Sequence, residues 1–222
     1  MGCYLALHRA HVATQFVDLD QLEDGDLQNF KVLYIPESYA LDDKAIAALK
    51  SYVSSGGTLW ADGLTGFKNA TGEIRATVPG GLTDLFGVKA SDIYPVQPEN
   101  PYSVTDRNEL GGELWRLPLE LKGAEVILRT KDGSPFEVRH AFGKGQVYYF
   151  ESAVSLAYAK RFNPIVQQWI VEPSIRARDS QKVSLKQGTK EVLLRGMVRP
   201  NGLAAVITNW GGTQKVIVSF RG

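Results

Sequence analysis

The stretch that most constrains this chain is residues 31–62, where two short apolar segments flank an amphipathic one with connections of only a few residues. Lys31-Val32-Leu33-Tyr34-Ile35 is almost continuously apolar and stops at Pro36, the pattern of a strand covered on both faces. Leu41-Asp42-Asp43 then offers N-cap chemistry ahead of Ile46, Leu49 and Val53, which recur at three- and four-residue spacing, and Gly56-Gly57 ends the helix. Thr58-Leu59-Trp60-Ala61 follows at once as a second strand. Strand, helix and strand this close together predict a right-handed parallel βαβ unit, and hence an α/β chain with a mostly parallel sheet.

Around that unit the pattern is more mixed. Leu5, Leu7, Ala10 and Val12 suit a short opening helix, and residues 15–19 read as a short strand ending in acidic loop residues. Residues 63–81 form a long loop, of the kind used at functional sites or interfaces, followed by a short helix closed by Gly87. Pro95, Pro98 and Pro101 hold the next segment extended or irregular. Residues 126–128, 136–138 and 146–150 read as strands of an antiparallel hairpin region, separated by Lys131-Asp132-Gly133-Ser134-Pro135 and Gly143-Lys144-Gly145.

A helix over residues 163–171, with Pro164 in its first turn, closes this part, and Glu172-Pro173 marks the expected boundary. Residues 1–172 are therefore expected to form an α/β domain and residues 173–222 a small antiparallel β unit. The strands of that unit lie near 181–185, 191–198, 203–208 and 214–220, broken by Gly188, Asn201-Gly202 and Gly211-Gly212.

Charge and composition exclude several functions. With 25 Lys+Arg against 24 Asp+Glu, a formal charge of +1 and no basic run, the chain has no electrostatic footprint for nucleic acid or an anionic membrane face. The single cysteine can form neither an internal disulfide nor a cysteine-based metal site, and Cys3 sits in a terminus expected to fray. The N-terminus meets polar residues too early for a signal-peptide core, and no stretch approaches the roughly 20 apolar residues of a membrane span. A cytoplasmic location is expected, with no membrane partner and no cofactor.

In order and spacing, these pieces resemble the middle, trimerisation domain of glycoside hydrolase family 42 β-galactosidases. The resemblance runs over residues 4–171. Its marks are Phe16-Val17-Asp18, Phe30-Lys31-Val32-Leu33-Tyr34-Ile35-Pro36, Ser55-Gly56-Gly57-Thr58-Leu59, Gly81-Leu82-Thr83-Asp84-Leu85-Phe86-Gly87-Val88 and Phe142-Gly143-Lys144-Gly145-Gln146-Val147-Tyr148-Tyr149.

The resemblance implies a flavodoxin-like, class I glutamine-amidotransferase-like fold, followed by part of a small β domain. It further implies a non-catalytic accessory and oligomerisation role. The partners would be the catalytic barrel of the parent polypeptide and copies of the chain itself, a trimer in the related enzymes. That barrel needs roughly 250 residues and has no room here, so none of the family's catalytic residues can be placed. A flavodoxin-like domain also opens with a buried strand, whereas this chain reaches its helix within a few residues of Met1. The expectation is a piece of a larger polypeptide.

Candidate site residues follow from the rule that open α/β sheets bind ligands beyond the carboxyl ends of their strands. Glu37, Asp62 and Glu151 fall there. They could hold a sugar or a divalent ion, the alternative function for the chain, or they could cap helices and turns. Amidotransferase chemistry needs a Cys on a strand-to-helix elbow, and Cys3 precedes any elbow; Ser38 lacks the Gly-x-Ser-x-Gly frame of a serine hydrolase. His8 and His11 stand three apart on the opening helix but lack a third ligand, so no metal site is expected, and His140 reads as structural. Asn69-Ala70-Thr71 has the form of a glycosylation acceptor without a secretory context. Trp60 and Trp169 read as core, while Trp115 and Trp210 lie in turn-rich settings suited to anchoring an interface.

Overall fold

The computed structural model describes residues 1–24, 26–97, 104, 112–177, 183–187, 192–199, 201–209, 211–213 and 215–220. Helix α1 (Gly2–Arg9) passes through a stretch without regular secondary structure into α2 (Leu19–Glu23), a 3₁₀ turn (Asp26–Asn29) and strand β1 (Val32–Pro36). Helix α3 (Asp43–Ser54) leads to β2 (Thr58–Asp62), and α4 (Thr83–Phe86) to four two-residue strands: β3 (Val88–Lys89), β4 (Tyr94–Pro95), β5 (Trp115–Arg116) and β6 (Glu120–Leu121). Then come β7 (Glu125–Arg129), β8 (Pro135–Phe142), β9 (Gly145–Phe150), α5 (Val154–Arg161) and α6 (Pro164–Arg176).

Among the described residues the main sheet runs in the order β1-β2-β9-β8-β7. β1, β2 and β9 are parallel, and β8 and β7 continue the sheet antiparallel. The expected βαβ unit is β1-α3-β2, and Asp42 caps α3 by accepting the Ala45 N–H at 2.7 Å.

Side chains alternate across the strands, so the apolar runs bury two faces at once. Leu59, Ala61, Val147 and Tyr149 meet Ile46, Leu49 and Val53 of α3 on one face. Trp60, Tyr148 and Phe150 meet α1 and α6 on the other, through residues such as Leu7, Trp169 and Ile170. Trp60 and Trp169 are core residues, as their apolar settings predict.

Several expectations are corrected. Residues 15–19 form no strand: among the described residues no ladder partner stands beside them, and Asp18 instead caps α2. It accepts the Gln21 N–H at 2.8 Å while its own N–H donates to the Gln21 side chain at 3.2 Å, a capping box. Cys3 is not frayed but buried inside α1. Helix α1 ends at Arg9, and His11 lies beyond it at φ 57°, so the two histidines do not share one helical face. Helix α5 has no counterpart in the sequence reading.

Helix α6 runs past residue 171 and through Pro173 to Arg176. A proline there deprives the carbonyl four residues back of its helical N–H. That carbonyl belongs to Trp169, and the Trp60 indole N–H donates to it at 3.2 Å. The helix therefore continues where proline would otherwise break it.

In the C-terminal part, β10 (Val183–Gln187) pairs antiparallel with β13 (Ile217–Phe220), and β11 (Val192–Arg199) with β12 (Gly202–Asn209). The four strands fall where the turn residues place them. No helix among the described residues is long and apolar enough to cross a membrane.

Candidate functional site

The carboxyl ends of β1, β2 and β9 bring Glu37, Asp62 and Glu151 together around Tyr149. All three charges push the Tyr149 hydroxyl up, after the larger effect of its burial, and that hydroxyl donates to the Gly63 carbonyl at 2.7 Å. Asp62 and Glu151 are fully buried.

Both oxygens of Asp62 are engaged by backbone. The Glu37 N–H donates to Oδ1 at 2.8 Å and the Ser155 N–H to Oδ2 at 2.7 Å. The second bond matters for α5, whose N-cap residue, Ala153, has no capping side chain. Asp62 therefore acts as a cap supplied from the end of a strand, satisfying an N–H in the first turn of a helix distant in sequence.

Glu37 turns the chain out of β1 at φ 46°, unusual for a residue with a side chain. Its carboxylate lies directly over Gly63. A Cβ on Gly63 would stand 1.4 Å from Glu37 Oε1, and Gly63 itself has φ +55°, so both space and backbone require glycine here. Burial, and secondarily the Asp62 charge, raise Glu37 to about 8; the Leu64 backbone N–H partly opposes them. Burial raises Asp62 to about 6 against the bonds from Ser155 and Glu37. Near neutral pH this pair holds a proton that exposed carboxylates would have lost.

The first turns of α1 and α5 close the site from above. A Cβ on Gly2 would stand 1.7 Å from the Ser155 carbonyl oxygen, so the helices touch backbone to backbone. Burial and the Asp62 charge hold the Cys3 thiol well above its ordinary value, which keeps it protonated and a poor nucleophile. His140, in β8, places Nδ1 2.9 Å from the Leu85 carbonyl; because a carbonyl only accepts, that nitrogen carries the proton. No group of three or more metal-ligating side chains occurs among the described residues.

One cluster escapes sequence reading. Glu113 is buried and ion-paired to Lys160 at 2.7 Å and to Arg161, and Ser152 Oγ both accepts from the Glu113 N–H and donates to its carbonyl. This clamp fixes α5 against the strand ends, and it joins residues about 40 to 50 apart in sequence that carry no shared motif. Trp115 lies in β5, half-buried and packed against the α3-side core. Trp210 lies outside the described residues.

Residues 3–171 match the family model for the beta-galactosidase trimerisation domain. The chain is 24% identical over 198 residues to beta-galactosidase LacZ of Heyndrickxia coagulans, an alignment covering 86% of this chain and 29% of that protein. It thus spans about three-tenths of the length of that relative. Among solved structures, the beta-galactosidase from Bacillus circulans sp. alkalophilus superposes with a TM-score of 0.75 at 20% identity, over 94% of this chain and 30% of the other. The alpha-L-fucosidase isoenzyme 2 from Paenibacillus thiaminolyticus superposes with a TM-score of 0.68 at 15% identity, over 100% of this chain and 36% of the other.

Proposed function

Because the chain belongs to the β-galactosidase trimerisation-domain family, we propose that it is a non-catalytic accessory and oligomerisation module of a β-galactosidase-like glycoside hydrolase. The observation that carries this reading is the family match over residues 3–171, in a chain spanning 29% of a β-galactosidase relative. In this reading the α/β part is flavodoxin-like and related to class I glutamine amidotransferases, the domain border follows the end of α6 at Arg176 rather than falling at Glu172-Pro173, and the protein works in the cytoplasm. Its partners are the catalytic barrel of the parent polypeptide and two further copies of the chain, with Trp115 and Trp210 as interface anchors.

The chemistry at the strand ends supports a structural role. The one thiol is buried and protonated, and both Asp62 oxygens cap backbone. Sedimentation equilibrium of the full chain tests the proposal. A monomer–trimer equilibrium is expected, and Trp115→Ala should weaken it by about tenfold or more if that ring is an anchor. A strict monomer at all attainable concentrations overturns self-association.

A second reading, a sugar site, draws on the convergence of three acids at the strand ends. Calorimetry with galactose tests it. Heat that disappears in Glu37→Gln would favour a ligand site over a purely structural one.

A further inference from the structure

The sheet face beneath α6 carries a buried acid that stands apart from the strand-end cluster. Glu137 of β8 is 2% exposed. It stands opposite Phe150 in the β8–β9 ladder, and Arg139 stands opposite Tyr148. Paired residues of neighbouring strands share a face, so Glu137 and Arg139 lie on the α6 side of the sheet with Tyr148 and Phe150. Trp169 of α6 covers the adjoining rings, with centroids 5.4 Å from Phe136 and 6.3 Å from Phe150. Glu172 follows one turn further along the helix and Arg176 two turns further, where it donates from Nε to Glu172 Oε1 at 2.8 Å.

The charges around Glu137 balance only while it keeps its proton. From β7, Glu125 accepts from Arg139 at 2.8 Å; on α6, Glu172 accepts from Arg176; from β9, the Tyr148 phenol lies beside both arginines. Two carboxylates thus meet two guanidinium groups before Glu137 is counted. Ionised Glu137 adds a third carboxylate, and it does so in a place from which water is excluded. Burial first, and then the Glu172 charge, raise its carboxyl to about 8 against the pull of Arg139 and Arg176. One helical bond is already missing overhead, because Pro173 has no N–H for the Trp169 carbonyl. Beyond that point the Tyr34 hydroxyl, 2.9 Å from Ser174 Oγ, ties the helix to β1.

We propose that Glu137 is a proton-controlled latch for the last turn of α6: with its proton in place residues 172–177 seat on the sheet, and losing that proton to water loosens them. The uncompensated charge is relieved by hydration, and the turn that begins at Pro173 is the part able to move aside and admit water. A carboxyl that binds its proton more tightly under the seated turn than under the lifted one favours the seated state. The seat is therefore firmest below about 4.5 and weakens as pH rises toward about 8. The same turn carries the chain out of the α/β part at Ala177 toward β10, so the latch sets how firmly the chain is held where its C-terminal strands begin. Neither the accessory role nor self-association is needed for it.

Amide hydrogen exchange of the full chain from about pH 5 to 9, expressed as protection relative to the intrinsic rate at each pH, tests the latch. Protection of residues 174–177 is expected to lie below that of residues 46–53 in α3. It should fall by up to about tenfold per pH unit and level off near 8. Glu137→Gln should abolish that fall, whereas Glu37→Gln, which removes the other carboxyl raised to about 8, should leave it unchanged. Glu172→Gln removes the repelling charge and frees Arg176, so the fall should end at a lower pH. A flat wild-type profile, or a fall that persists in Glu137→Gln, overturns the proposal. Protection equal to that of α3 at every pH, and altered by Glu37→Gln as well, would mean that only global unfolding is seen, and also overturns it. So does protection that rises with pH, since Arg176 would then be changing partner to tighten the turn. If Glu137→Gln does not fold, Glu172→Gln supplies the reading, and a profile identical to wild type has the same force.

Discussion

The two edges of the main sheet are built on opposite principles. β7 closes one side as half of an antiparallel hairpin, with two register shifts along its length and Glu125, Ile127 and Arg129 turned to solvent. Glu125 pairs with Arg139 at 2.8 Å, and Arg129 donates to the Gly133 carbonyl at 2.7 Å. Charges and bulges of this kind stop further strands from adding. β1 has neither. Its residues are Val-Leu-Tyr-Ile-Pro, its partner is parallel and in unbroken register, and a cavity lies beside it. One edge is finished by its own side chains, and the other has the composition of an interior strand.

If the parallel half carries the fold, damage there should far exceed damage at β7. The largest effect is expected from Trp60→Ala. Trp60 is fully buried in β2 between Tyr34 and Phe150, with ring centroids at 5.7 and 5.5 Å. Its loss costs about 3–5 kcal/mol in packing and strips the Trp169 carbonyl of its donor just where Pro173 has removed the helical one. Urea unfolding measures this; a loss below about 1 kcal/mol would show that the parallel half is not the keystone.

The second contrast is electrostatic, between Glu37 at the end of β1 and Glu137 in β8. Both rise to about 8. Burial is the main cause for each, followed by the Asp62 charge for Glu37 and the Glu172 charge for Glu137. A carboxyl whose folded value exceeds its unfolded one binds protons more tightly in the folded state. Its contribution is therefore fully present below about 4.5 and is lost as pH rises toward about 8. Each group then adds at most about 1.4 kcal/mol of destabilisation per pH unit across that window. Glu37→Gln and Glu137→Gln should each flatten the decline, leaving stability near pH 5 little changed and raising it near pH 8, as followed by urea midpoints across pH. A wild-type midpoint that climbs from pH 5 to 8 would contradict the sign for both.

The β1-α3-β2 unit was legible because each of its signals is local: an apolar run, Asp42 at a cap, glycines at an end. Glu37, Asp62 and Glu151 were legible as a cluster for a similar reason, since each directly follows or ends a strand whose direction the sequence implies. What the sequence hides depends on partners far along the chain. Asp62 caps α5 across 93 residues, and the donor that sustains α6 past Pro173 comes from Trp60, 109 residues away. Helix α5 lacks a capping side chain of its own and so lacks the usual opening signal. Residues 15–19 carry a strand pattern that fails for want of a neighbour, and Asp18 then serves the following helix.

The smallest expected effect is also the most direct comparison of the edges. Ile127→Lys on β7 replaces a side chain that is 38% exposed, in a strand already lined with charge, and should change stability by no more than about 0.5 kcal/mol. Leu33→Lys on β1 places an ammonium group where the side chain packs against the α3-side core. It should cost about 1–3 kcal/mol, the loss of a partly buried aliphatic group together with the desolvation of a charge. Parallel urea titrations of the two variants give the difference. Equal, small losses would mean that β1 tolerates charge as an ordinary edge does, and the asymmetry would then lie in sequence alone. A loss confined to Leu33→Lys would show that β1 behaves energetically as an interior strand even while a cavity lies beside it.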